Sequence, residues 1–189
     1  MAFLPAPNET VLMLVGEIEK GDYAKFQALL QYRVPNQVVL DSPGGDYLEA
    51  LEIARDVNLL GVRTIAPIQS CTKGEDVSCR CASSCFFIWA AGRQRLGDIV
   101  MIHLPQTPPR LKGEDRRLAA AAIADHVAWF LNKIELPHSI IDAVLKTPFQ
   151  SPRSLTEAEL RLLANVDEDQ ATAKVPWPRR ATTEPRRCA

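Results

Sequence analysis

A chain of 189 residues with 47% hydrophobic and 24% charged side chains is long enough to bury one real core and too apolar to be disordered throughout. Its 22 basic and 23 acidic residues leave a formal charge of -1, which offers no global field to nucleic acid or to an anionic membrane. Two large domains are excluded by length, so residues 1–170 read as a single domain and 171–189 as a tail.

The tail concentrates what charge asymmetry there is. Lys174, Arg179, Arg180, Arg186 and Arg187 stand there against Glu184 alone, an excess of four positive charges that leaves the rest of the chain at -5. Pro176, Pro178 and Pro185 interrupt any helix, so the tail is predicted to be a mobile, solvated basic segment. At the other end there is no basic n-region, and the apolar run Val11 to Val15 is stopped by Gly16 and Glu17, which is not a signal peptide. No run reaches the ~18 apolar residues of a membrane helix. The sequence as given therefore reads as cytoplasmic by default, and as periplasmic if a leader had been trimmed from it.

In chain order, Thr10 to Ile18 is β-branched and Leu-rich and predicts a strand. From Asp22 the period changes, with Tyr23, Phe26, Leu29, Leu30 and Val34 at helical spacing until Pro35. A second unit repeats this: Gln37 to Leu40 is a short strand, and Asp46 to Leu60 a helix. Asp46 serves as N-cap, Glu49 completes a variant of the capping box, and Gly61 is the C-cap. Val62 to Pro67 begins a third strand and Ile68 to Arg80 is a loop. Ser83 to Ala91 is apolar around its whole circumference and predicts an interior helix. Asp98 to Leu104 is another strand. Glu114 to Glu135, Ser139 to Leu145 and Thr156 to Leu163 are helical. Strands alternating with helices give an α/β layered domain.

Three segments carry candidate chemistry. Ser42-Pro43-Gly44-Gly45-Asp46 joins a strand to a helix, where glycines admit close backbone approach and successive N–H groups can hold an oxyanion. Cys81-Ala82-Ser83-Ser84-Cys85 opens the buried helix with two hydroxyls, which serve as caps or as a nucleophile. His103 is a single imidazole near the end of an apolar strand, where a catalytic base or a hydrogen-bonded core histidine would sit. His126, His138 and Trp89 read as structural or solvated. The cysteine spacing C-x7-C-x-C-x3-C lacks the paired C-x2-C of a zinc ribbon. It leaves free thiols, or disulfides joining Cys71 to Cys79, or Cys71 or Cys79 to Cys81 or Cys85. Cys85 itself points away from the Ser83 face and is not a nucleophile.

In this order the motifs SPGG at 42–45, ASSCFFIWAAG at 82–92 and MIHLP at 101–105 resemble the proteolytic subunit of the Clp protease and its ClpP/crotonase-fold relatives. Closer still is a Clp-like subset, often carrying a leader, whose serine segment reads C-x-S-x-C. The resemblance spans Thr10 to Asp167 and implies a spiral of strand–helix units in a single α/β domain. It implies Ser83 as nucleophile, His103 as general base, and an oxyanion hole from the N–H groups of Gly44 or Gly45 and of Ser84. The implied activity is that of a serine hydrolase of the peptidase kind, acting on peptide or protein through an acyl-enzyme, without cofactor or metal. A homo-oligomer is implied as well, with room for an unfoldase partner.

Two departures stand against the pattern. The family's third member is an acid that should fall within Lys146 to Ser154, where none is present. Gln150 or Ser151 could orient His103 without supplying charge, and Asp142 or Asp115 could reach in from elsewhere. The loop Ile68 to Arg80, with Cys71 and Cys79, has no counterpart in the typical Clp subunit. The missing acid opens a second reading, a weak or inactive Clp-like binding and assembly module. The fold opens a third, a crotonase-like acyl-CoA enzyme.

Overall fold

The computed structural model describes residues 1–5, 11–71 and 79–164, and over them the chain is a mixed α/β structure of helices and two sheets. The predicted basic tail and Trp177 lie outside the described residues. No helix among those described is long and apolar enough to cross a membrane.

Strand β1 (Ala2–Pro5) runs antiparallel to β2 (Val11–Val15), whose alternation turns Leu12 and Leu14 inward. Helix α1 (Asp22–Tyr32) buries Phe26, and β3 (Gln37–Asp41) lies parallel to β2 with Val38 to Asp41 buried, as expected for a central parallel strand. Helix α2 (Tyr47–Leu60) leads to β4 (Arg63–Ile65), parallel to β3. Then come β5 (Cys81–Ala82), α3 (Cys85–Ala90), β6 (Gln94–Leu96) and β7 (Val100–Ile102). Helices α4 (Gly113–Lys133) and α5 (His138–Lys146), strand β8 (Arg153–Ser154) and α6 (Glu157–Leu163) complete the order.

The five-stranded sheet is ordered β1-β2-β3-β4-β6 and the three-stranded one β5-β7-β8. They are joined by a bridge between Ser42, just past β3, and Cys81. Sequence reading finds β2, β3, β4 and β7 but not β1, β5, β6 and β8. Three of these are two or three residues long, too short to show a period, and exist because neighbouring backbone supplies the hydrogen bonds.

All six residues of α3 are buried, because the helix is enclosed by α2, β4 and β7. Phe86, Phe87, Ile88 and Trp89 each contribute about 1.5–3 kcal/mol by leaving water. The polar groups of this core are paired: Thr64 Oγ1 donates to Trp89 O at 2.7 Å, and Trp89 Nε1 donates to Leu96 O at 2.9 Å. Arg95 donates to Ala90 O at 2.7 Å and to Leu163 O at 2.9 Å, tying the C-terminal ends of α3 and α6 together. Burial pushes its guanidinium below its ordinary pKa.

The capping prediction for α2 needs correction. Asp46 Oδ1 accepts from Leu48 N and Glu49 N as expected. Glu49, however, accepts from Tyr23 N at 2.8 Å, while Asp46 N donates to Ile18 O. The carboxylate therefore satisfies an exposed amide at the start of α1 and links the two helices. The full reciprocal box stands on α6, between Thr156 and Glu159.

Glu159 also receives both terminal nitrogens of Arg153, at 2.6 and 2.8 Å, which fixes β8 and with it the edge of β7. The Arg153 hydrogen bonds hold this carboxyl at about 2, below the ordinary 4.5. Its contribution to stability is thus present above the unfolded value and is lost as pH falls through the folded one. Glu159→Gln is expected to cost about 1 kcal/mol at neutral pH, read by urea denaturation. The difference from wild type should disappear on going from about pH 4.5 to about pH 2, and a difference constant over that window would refute this account.

Candidate active site

Three segments leave the C-terminal ends of adjacent strands at one place. Ser42 to Gly45 follows β3, Ser83 and Ser84 follow β5, and His103 follows β7. Ser42 N donates to Arg80 O at 2.8 Å and Ala82 N to Ser42 O at 3.0 Å, so β5 lies parallel beside the end of β3. Parallel pairing of Cys81 with Val100 and of Ala82 with Met101 then aligns the ends of β5 and β7. In parallel sheets the carboxyl ends of strands form the crevice where ligands bind.

The diglycine bend is required by close approach. Gly44 and Gly45 have φ of 102° and 136°. A Cβ on Gly44 would lie 2.6 Å from Ser83 Cβ and 3.0 Å from Ser83 Oγ, and one on Gly45 would lie 2.1 Å from Ile18 O. The bend thus presses directly on the serine. Gly44 N donates to Ser42 Oγ at 3.1 Å, so that amide is already engaged. In the bridge between Ile18 and Gly45, Ile18 N bonds Gly44 O and Asp46 N bonds Ile18 O, leaving Gly45 N–H outside the ladder.

The two serines have different environments. Ser84 is buried, and its hydroxyl donates to Gly45 O at 2.8 Å, which locks it to the bend. Ser83 is half-buried, and its hydroxyl makes no hydrogen bond among the described residues. Its backbone is held on both sides: N donates to Met101 O at 3.1 Å, and O accepts from Phe86 N at 2.9 Å. Ser83 has φ of 56°, in the left-handed region that costs an L-residue with a side chain about 1–2 kcal/mol. Cys79, at φ 49°, and Glu135 are the other described non-glycine residues with positive φ. Helix α3 therefore starts at Cys85, two residues later than predicted, because Ser83 and Ser84 form the turn from strand to helix.

His103 is 8% exposed, and its Nδ1 lies 2.9 Å from Leu104 O. A carbonyl oxygen can only accept, so Nδ1 is the donor in this contact, and in the neutral ring Nε2 is the nitrogen that can act as base. The ring of Phe149 packs edge-on at 5.2 Å between centroids. Among the described residues no hydrogen bond joins the imidazole to Ser83, and no carboxylate is bonded to it. Asp142 is paired with Lys146 at 2.7 Å on the surface, which holds its carboxyl below the ordinary value. Asp115, Gln150 and Ser151 are exposed. From Lys146 to Ser154, β8 pairs with Met101 and Ile102, and what meets His103 and Leu104 is Thr147 O, accepting from Leu104 N at 2.8 Å, and the Phe149 ring. The carbonyl that orients the ring is a backbone atom, for which a sequence carries no signal.

One disulfide precedes the serine and a second encloses it. Cys71 to Cys79 is one of the pairings left open by the sequence; Cys81 to Cys85 is not, since each of those cysteines was matched outward to Cys71 or Cys79. The Cα atoms of Cys81 and Cys85 are 5.2 Å apart because the chain turns sharply at Ser83, and this geometry replaces the outward pairing. Among the described residues no group of three His, Cys, Asp or Glu could hold a metal ion. His126 lies against Trp129 and Tyr47, and Trp89 is core.

No family model matches the chain, and a search of curated proteins finds none similar to it.

The contact between bend and serine can be tested directly. Gly44→Ala has to move the Ser83 side chain or leave φ 102°, and is expected to cost about 1–3 kcal/mol in a thermal melt. A melt unchanged from wild type would show that the bend is looser than described.

Proposed function

We propose that the chain is a serine hydrolase of the ClpP/crotonase-like fold, cleaving amide or ester bonds through an acyl-enzyme on Ser83 with His103 as general base. The observation that carries this reading is a half-buried, left-handed Ser83 set against the diglycine bend and bonded through its N–H to Met101 O, two residues before His103, whose Nδ1 contacts Leu104 O. The ordered motifs add their resemblance to the Clp proteolytic subunit.

In the proposed reaction, Nε2 of His103 takes the proton of Ser83 Oγ as the oxygen attacks the substrate carbonyl carbon. The oxyanion is received by the N–H groups of Gly45 and Ser84; Gly44, whose amide donates to Ser42, shapes the bend instead. The imidazolium passes its proton to the leaving nitrogen or oxygen, and water attacks the acyl-enzyme by the reverse path. Nucleophile and base come together when substrate fills the crevice, since catalytic hydrogen bonds commonly tighten only in the complex. Leu104 O orients the imidazole without stabilising its charged form. Loss of a carboxylate from such a triad can cost about four orders of magnitude, so turnover is expected to be slow.

That no carboxylate among the described residues bonds His103 favours one second reading, a Clp-like binding and assembly module with the same fold. Self-association belongs to both readings: the N-terminal half of α4 is solvent-facing, with Leu118 64% exposed. Two disulfides favour an oxidising compartment for the working protein.

A fluorophosphonate probe separates the readings. Slow covalent labelling of wild type, abolished in Ser83→Ala and reduced at least a hundredfold in His103→Ala, is the expected result, read by intact mass. Folded wild-type protein that takes up no probe would overturn the hydrolase and leave the module. Acyl-CoA retained on the purified protein would point instead to the crotonase-like enzyme.

A further inference from the structure

We infer that the Cys81–Cys85 disulfide is what holds Ser83 in its left-handed backbone, and that two-electron reduction of this bond switches the site off. The positioning part stands on geometry alone; the switching part rests on the reading of Ser83 as nucleophile.

The bond closes a ring through Cys81, Ala82, Ser83, Ser84 and Cys85, and Ser83 is its middle residue. Four extended residues would span about 13 Å, against the 5.2 Å between these Cα atoms, so the ring enforces a reversal between β5 and α3. A non-glycine residue at φ 56° returns to the broad allowed regions unless its surroundings over-determine it. Noncovalently, the loop is held by backbone bonds on either side of Ser83, among them Ala82 N on Ser42 O, Ser83 N on Met101 O and Phe86 N on Ser83 O, and by Ser84 Oγ on Gly45 O; these fix its ends, and the ring closes the reversal between them.

Both disulfides are local. Cys71–Cys79 and Cys81–Cys85 have sequence separations of 8 and 4, and neither ties distant parts of the fold. The restraint that a cross-link puts on the unfolded chain grows with loop length, so a ring of five residues acts mainly on its own conformation. The core beside it, with α3 wholly buried, does not depend on sulfur to stay folded.

The reductant is a dithiol. Its thiolate attacks one sulfur of the Cys81–Cys85 bond, forming a mixed disulfide and releasing the other cysteine as thiolate; its second thiol then displaces the first cysteine. The chain gains two electrons and two protons, and the reductant leaves as its own disulfide. Both cysteines are buried, so attack follows local opening of the loop.

The test uses the full chain with Cys71, Cys79 and Cys188 replaced by serine, so that one bond is in play. It is compared oxidised, reduced with dithiothreitol, and reoxidised with oxidised glutathione, the state being assigned by mass after alkylation. Should that variant not fold, wild type with its bonds assigned in the same way gives the comparison. Hydrogen exchange over residues 82–87 is expected to quicken at least tenfold on reduction and to recover on reoxidation, with far-UV circular dichroism unchanged. In Ser83→Gly, which carries no left-handed penalty, reduction should change exchange less than threefold. Fluorophosphonate labelling of the serine-bearing chain should fall at least tenfold on reduction. Exchange unmoved by complete reduction, or quickened equally in Ser83→Gly, overturns the positioning role, and labelling unmoved by reduction overturns the switch. Exchange that responds in a chain never labelled in either state upholds the positioning role and defeats the hydrolase reading alone.

Discussion

Ser42 exchanges two backbone hydrogen bonds with the segment from Arg80 to Ala82, and on that exchange depends everything else at the crevice. It sets β5 parallel beside the end of β3, so that the five-stranded and three-stranded sheets meet at one seam. The seam sits one turn from the diglycine bend and one residue from Ser83. A shift of register there by one residue would move Ser83 to the opposite face, away from Gly44. The strand that fixes the register is only two residues long, and its own hydrogen bonds are too few to hold it. The buried α3 on its C-terminal side, packed against α2, β4 and β7, supplies the rest.

Among the described residues, the groups hydrogen-bonded to the His103 ring and to the Ser84 hydroxyl are neutral, while the buried Asp41 carboxylate, one residue before Ser42, accepts from Arg80 N at 3.3 Å. A buried carboxylate behind an imidazole would need several hydrogen bonds to compensate its desolvation. This chain places a backbone carbonyl there and an aromatic edge nearby. The carbonyl fixes the tautomer as well as a carboxylate would, since either accepts from Nδ1–H. No carboxylate among the described residues adds charge there, and it is charge that would favour the imidazolium as the transition state forms. The arrangement is therefore organised for orientation more than for rate. The same economy of charge appears at Ser84, whose hydroxyl is tied to Gly45 O and holds the bend without competing with Ser83.

Much of the helical part of the fold is legible in the sequence, because α1, α2, α4 and α5 are long or amphipathic enough to show a period and because Asp46 and Gly61 mark the ends of α2. The diglycine bend and the serine pair are legible as residue types. The conformation that distinguishes Ser83 from Ser84 is not, because nothing in the string S-S says which residue takes the positive φ. Nor is the Glu49 contact with Tyr23, which a capping rule assigns to its own helix while tertiary packing gives it to another. The short strands β5, β6 and β8 are set by partners far along the chain. The Cys81–Cys85 pairing escapes for a related reason: it depends on a reversal that only the turn at Ser83 creates.

Strain and cross-linking coincide in one segment, and that has a consequence for how stability is distributed. Cys79 and Ser83, two of the three described non-glycine residues with positive φ, lie within the stretch covered by the two disulfides. The large apolar side chains of the core, from Leu14 and Phe26 to Trp89 and Leu131, lie outside that stretch or on α3 beside it. Local conformation at the crevice and global stability therefore draw on different interactions, sulfur and a few hydrogen bonds for one, apolar burial for the other. On the inference drawn above, loosening the crevice need not unfold the chain, since segments held by few local contacts can open at lower free energy than the whole. A site built this way can change state while the sheets and α3 remain in place, because α3 fixes where the segment sits and the five-residue ring fixes only the local backbone of the serine within it.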